Sequence, residues 1–260
     1  MDRQVAGWPI WVGLVAEDLE KQRRFYRDVL GLSELDEGGD WVWFDMGWPK
    51  LFEILALDPS LPQYEERRFQ VAFVTHDIRH SRQELIERGA LPVTDIEGGI
   101  DSHQYWCYFR DAEGNVFELV QPLGSPWSSM GTGPGQIVGW PVWIGVVCES
   151  LEKQQGFYRD VLGFHQLAEN DRVVEFDLGW PNLLELELRN SSPVHERRGY
   201  HVSFAVGDIP GARMELMRRG LEPVGDIAGG PQDGGYWCYF RDAEGNIFAT
   251  SQRLGPPWMG

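Results

Sequence analysis

The sequence predicts an α+β protein made of four strand-helix-strand-strand-strand (βαβββ) units, arranged as two tandem halves whose curved mixed sheets form open cups. Three observations predict it. First, the chain repeats itself: Gly7-Trp8-Pro9-Ile10-Trp11-Val12-Gly13 returns as Gly139-Trp140-Pro141-Val142-Trp143-Ile144-Gly145, and the phrase from Tyr105 to Asn115 returns almost letter for letter from Tyr236 to Asn246. Second, each half splits into two quarters with the same order of patterned segments. Third, a stretch rich in Ser, Gly and Pro separates the repeats, giving a first half at 1–126, a linker at 127–137 and a second half at 138–260.

Residues 9–16 alternate as a strand. Asp18 caps a helix through Leu19, Phe25, Tyr26 and Leu30, which Gly31 ends by supplying a left-handed stop. Strands near 33–37, 41–46 and 50–57 follow, separated by Gly38-Gly39 and Gly47-Trp48-Pro49. The second quarter has a strand near 69–75, a helix through Ile78, Leu85 and Ile86 ending at Gly89, and strands near 91–96, 104–110 and 115–121. A helix covers one face of each unit's sheet and leaves the other bare, so two units pair into a curved sheet around a cavity.

Composition excludes several classes of function. With 23 Lys+Arg against 40 Asp+Glu the net charge is -17, which repels nucleic acid and anionic membranes. No apolar run is long enough to cross a bilayer and no signal-peptide order opens the chain, so a cytoplasmic protein is expected. The three cysteines, Cys107, Cys148 and Cys238, are odd in number and lack metal-ligand spacing, which makes them buried small apolar residues.

The phrases Val12-Gly13-Leu14-Val15-Ala16-Glu17-Asp18-Leu19-Glu20, Phe25-Tyr26-Arg27-Asp28-Val29-Leu30-Gly31-Leu32 and Phe109-Arg110-Asp111-Ala112-Glu113-Gly114-Asn115 resemble those of the vicinal-oxygen-chelate superfamily, which includes glyoxalase I, extradiol dioxygenases and bleomycin-resistance proteins. That resemblance places metal ligands on the first and fourth strands of each unit. Here those positions hold Trp11, Glu53, Gln70 and Glu118 in the first half, and Trp143, Glu185, His201 and Ala249 in the second. Units pairing within a half or across halves give different sets, and neither restores a normal quartet. Indole has no lone pair for a metal. The facial triad of ferrous dioxygenases would need two His and a Glu at 143, 201 and 249, where only His201 is present.

Alternation on the first strand turns Val12, Leu14 and Ala16 to the helix and Trp11, Gly13 and Val15 to the cavity, with Gly13 and Gly145 leaving room beside the rings. The expected function is therefore metal-independent binding of a small aromatic or cationic molecule in a Trp-lined cup. Trp11 and Trp143 stack on it, and Glu53, Glu185, Gln70 and His201 make polar contacts. No cofactor is expected. The alternative is a lyase, isomerase or dioxygenase-like enzyme with a degenerate divalent-metal site at Glu53, Gln70 and Glu118, or a metal-free catalyst with Glu118 or His201 as base. A third reading has both cups filled by the Trp side chains themselves. Trp8, Trp48, Trp106, Trp140, Trp180 and Trp237 read as packing residues, and the histidines other than His201 as solvated. The fused repeat makes the chain its own pseudo-dimer, for which a monomer is sufficient.

Overall fold

The computed structural model describes residues 8–47, 50–61, 64, 68–102, 104–110, 114–123, 138, 140–179, 182–189, 199–241 and 245–254. The predicted linker, Trp48, Trp180, His103 and His195 lie outside them.

The first unit holds β1 (Pro9–Ala16), α1 (Leu19–Arg24), β2 (Ser33–Glu37), β3 (Trp41–Asp45) and β4 (Leu51–Ala56). The second holds β5 (Arg68–Val74), α2 (Ile78–Glu87), the short β6 (Leu91–Pro92) and β7 (Glu97–Gly99), β8 (Gln104–Arg110) and β9 (Val116–Pro122). Asp18 caps α1 by accepting from the Lys21 N–H, and Asp77 does the same for α2 through His80. The predicted helix end at Leu30 is a wider turn over Phe25–Val29, closed by Leu30 N donating to Phe25 O, and Gly31 then reverses the chain at φ 75°. The predicted strand at 91–96 is broken. Pro92 brings no N–H to the ladder, and Val93 and Thr94 both direct their N–H to the Tyr108 carbonyl, which bulges the edge.

The second half repeats the plan. Its units are β10 (Pro141–Cys148), α3 (Leu151–Gly156), β11 (His165–Glu169), β12 (Val173–Asp177) and β13 (Leu183–Leu188), then β14 (Gly199–Ala205), α4 (Ile209–Arg218), β15 (Ala228–Gly230), β16 (Gly235–Arg241) and β17 (Ile247–Arg253).

The units pair within each half. In the first, β1 runs parallel to β4 and antiparallel to β5, and β5 runs parallel to β9, so the strand order is β2-β3-β4-β1-β5-β9-β8. The second half has the equivalent order β11-β12-β13-β10-β14-β17-β16. Among the described residues a single strand pair, Phe69 with Tyr200, joins the two sheets.

The helix-facing sides of both sheets share one apolar core. Phe117 of the first half meets Phe157 of the second, and Phe25 meets Phe248 in the reciprocal contact. Polar links are reciprocal too. The Trp8 indole donates to Pro141 O and Trp140 to Pro9 O, both at 3.2 Å, while Arg88 donates to Val161 O and Arg219 to Val29 O. These guanidinium groups cap carbonyls at the ends of the helices of the opposite half. All three cysteines are buried and none forms a disulfide. No helix among the described residues is long and apolar enough to cross a membrane.

Candidate active site

Strand alternation builds the first cup. Val12, Leu14 and Ala16 enter the core shared with the helices, whereas Trp11 and Val15 pack on the other face with Leu51, Leu55, Ala72 and Val120. Register then brings the predicted residues together. Gly13 lies between Glu53 on β4 and Gln70 on β5, Trp43 lies opposite Glu53, and Glu118 on β9 stands beside Ala72 and Tyr108.

The Trp11 ring lies back over Gly13, where any side-chain carbon would overlap it, so it is only 5% exposed. The expected space beside the ring is taken by the ring itself. The indole N–H is put to use: Trp11 donates to one oxygen of Glu53 and Trp43 to the other, both at 2.7 Å. Trp43 is a candidate-site residue that the sequence reading passed over. Its signal was a tryptophan alternating with Trp41 in a strand that pairs with β4.

Glu53 is half-buried and its carboxyl is pushed up to about 7, chiefly by loss of water and against the pull of the two indole N–H groups. Glu118, 3% exposed, is held well above the usual carboxylate range by burial first and then by the Glu53 charge, while the Tyr108 hydroxyl bonds it. Tyr108 in turn bonds the Tyr64 hydroxyl at 3.1 Å, and burial raises both phenols. The cup therefore contains one carboxyl raised to about 7 and a second whose charged form burial disfavours. Such a pair can exchange a proton and donate a hydrogen bond to a ligand oxygen.

The second cup is built in the same register. Trp143 donates to Glu185 and touches His201 edge-on, with ring centroids 5.5 Å apart. His201 Nε2 lies 3.0 Å from a carboxylate oxygen of Glu187, and both residues are buried. Glu187 also escaped the sequence reading, although the alternation in Leu183-Leu184-Glu185-Leu186-Glu187-Leu188 puts it on the face of Glu185. The position matching Glu118 is Ala249, beside Tyr239. His76, His80 and His165 are exposed as expected.

A transition ion does not fit the residues present. Indole N–H groups stand where a metal needs lone pairs and already engage both oxygens of Glu53, and burial disfavours the charged form of Glu118. Among the described residues no group of three or more His, Cys, Asp or Glu is placed to hold a metal.

A family model for a glyoxalase-like domain matches residues 11–120. Among solved structures, the chain is similar to the Mn(II)-bound glyoxalase from Novosphingobium aromaticivorans at 16% identity and TM-score 0.74, covering 96% of this chain and 83% of that one. It is similar to homoprotocatechuate 2,3-dioxygenase from Brevibacterium fuscum complexed with 3,4-dihydroxyphenylacetate at 16% identity and TM-score 0.73, covering 96% and 82%. The 2,3-dioxygenase LapB from Pseudomonas sp. KL28 aligns at 19% identity and TM-score 0.68, covering 95% and 93%. At these identities the likeness concerns the fold. A search of curated protein sequences finds no match.

Proposed function

We propose, for a chain whose residues 11–120 match a glyoxalase-like domain and whose fold is that of glyoxalase and extradiol dioxygenase structures, that the first half is a metal-independent site in which a small organic molecule exchanges a proton with Glu53, as in a lyase or isomerase. The observation that carries this reading is the Glu53 carboxylate, gripped by the Trp11 and Trp43 indoles and poised at about 7. A general base works best when its pKa lies near the working pH. Glu118, its proton favoured by burial and its carboxyl tied to Tyr108, serves as the acid that hydrogen-bonds a carbonyl or hydroxyl oxygen of the ligand, and Gln70 adds an amide contact. The tryptophans thus act through their N–H groups and as apolar walls, in place of the stacking platforms that the sequence suggested.

A second reading draws support from the Mn(II)-bound glyoxalase among the structural relatives. It is an enzyme that loads a hard divalent ion on Glu53, Gln70 and Glu118.

One experiment separates the two. Chelator-treated protein is incubated in D2O with a panel of 2-hydroxy carbonyl compounds, and loss of the C–H signal is followed by proton NMR. Metal-free exchange is expected for at least one compound, with Glu53→Gln slowing it by about 100-fold or more. Exchange that appears only on adding Mn2+ favours the second reading. Binding without exchange reduces the site to sequestration, and both outcomes overturn the first.

A further inference from the structure

The first half serves as an internal control for the second. At matching register positions the buried cup face of the first half carries Leu55, Ala72 and Val120, and the second carries Glu187, Ser203 and Ser251. Gln70 becomes His201, and Trp43, which grips Glu53, becomes Glu175 opposite Glu185. These changes build a connected polar surface. Glu187 meets His201 at 3.0 Å, and the Ser203 and Ser251 hydroxyls bond each other. Gly145 makes room for it: a side-chain carbon there would lie 2.5 Å from Glu187 Oε2 and 3.1 Å from His201 Nε2. The reverse change is Glu118 to Ala249, which removes the buried carboxyl that the first cup carries.

Burying this many polar groups is costly, and the first half shows that the same strands close without them. Their presence therefore calls for a ligand. From the matched positions we infer that the second cup is a separate binding site for a small molecule rich in hydrogen-bond donors, a polyol or a hydroxylated ammonium compound. The chemistry follows from what the wall offers. The Glu175, Glu185 and Glu187 carboxylates supply many acceptor lone pairs, and the two serine hydroxyls both give and accept. Trp143 contributes an apolar edge for C–H groups. Glu185 and Tyr239 are half-buried, so the cup reaches solvent beside them, while Glu187 and His201 lie deeper. Burial raises the Tyr239 phenol, and the Glu187 and Glu185 charges raise it further, which places all three within electrostatic reach of one another. This inference concerns a different cup from the proton-transfer reading and stands or falls without it.

The test exchanges the polar wall for its first-half equivalent in the full chain: Glu187→Leu, His201→Gln, Ser203→Ala and Ser251→Val together. The probes are myo-inositol and ethanolammonium, with cyclohexanol as a control poor in donors, read by saturation-transfer NMR and calorimetry. Wild type is expected to bind inositol or ethanolammonium and not cyclohexanol. The fourfold variant should melt at or above the wild-type temperature, because it replaces the buried Glu187 carboxyl and both serine hydroxyls with apolar side chains and gives His201 the amide that the first half carries at Gln70. It should also bind at least about ten-fold more weakly, the loss of roughly one good hydrogen bond. Ser203→Ala alone gives the same direction should the fourfold variant misfold. Inositol alone bound identifies a neutral polyol site, and ethanolammonium alone bound an ammonium site. Absence of binding by both probes, unchanged binding in the variants, or a lower melting temperature for Ser203→Ala overturns the inference, the last by showing the polar wall to be structural.

Discussion

Phe117→Ala is expected to cost about 3–5 kcal/mol of unfolding free energy and to lower the melting temperature by roughly 6–20 °C. The ring is fully buried. It stacks on Phe109 at 5.8 Å, meets Phe73 edge-on at 5.8 Å, and reaches across to Phe157 of the other half at 5.9 Å. Truncation leaves a cavity where the two halves join, and neighbours locked on three sides cannot collapse into it. Because one core spans both halves, unfolding should remain a single transition that melts them together. Ile100→Ala, at a side chain 79% exposed, is the control and should change stability by less than about 0.5 kcal/mol. Two separate transitions in differential scanning calorimetry would show that the halves are energetically independent.

The second large effect depends on pH. Folding raises the Glu53 carboxyl from 4.5 to about 7, so the folded state holds this proton more tightly than the unfolded state. The stability it contributes is complete below the unfolded value and is lost as pH rises through 7. A displacement of that size corresponds to roughly 3 kcal/mol. Glu118 acts in the same direction, since its carboxyl is also raised. Glu53→Gln removes the titration. The variant loses stability at low pH, because the amide presents an N–H group to one of the two indole donors, and it recovers about 3 kcal/mol relative to wild type between about pH 4 and pH 8. Urea unfolding at both pH values measures the change. A stability difference that does not vary with pH would mean that the carboxyl titrates normally.

Much of this architecture was written in the sequence. The duplicated phrases located the units, and period-two alternation on 9–16 correctly put Trp11 and Val15 on the face opposite the helix. The resemblance to the vicinal-oxygen-chelate superfamily, not alternation, gathered Glu53, Gln70 and Glu118, and register does bring them together. Alternation assigns a face but not a partner, so it could not choose between pairing within and across halves, nor show that Trp43 would lie opposite Glu53. It also leaves the direction of a side chain open. The Trp11 ring folds back over Gly13 because the missing side chain lets it, and a glycine read as empty space is the seat of the ring. Glu187 was missed for a different reason. It has no counterpart at a family ligand position, and its role appears only when β13 is laid against β10 and β14. The break at Leu91–Pro92 followed from one missing N–H, which the sequence did display.

Proton transfer in the first cup depends most on the protonation of Glu53 in the absence of metal. Carbon-13 NMR of selectively labelled glutamate side chains in chelator-treated protein, with Glu53→Gln to assign the resonance, measures it directly. A titration midpoint near 7, unmoved by added Mg2+, is the predicted result. A midpoint in the ordinary carboxylate range, or one that collapses when a divalent ion is added, would contradict it.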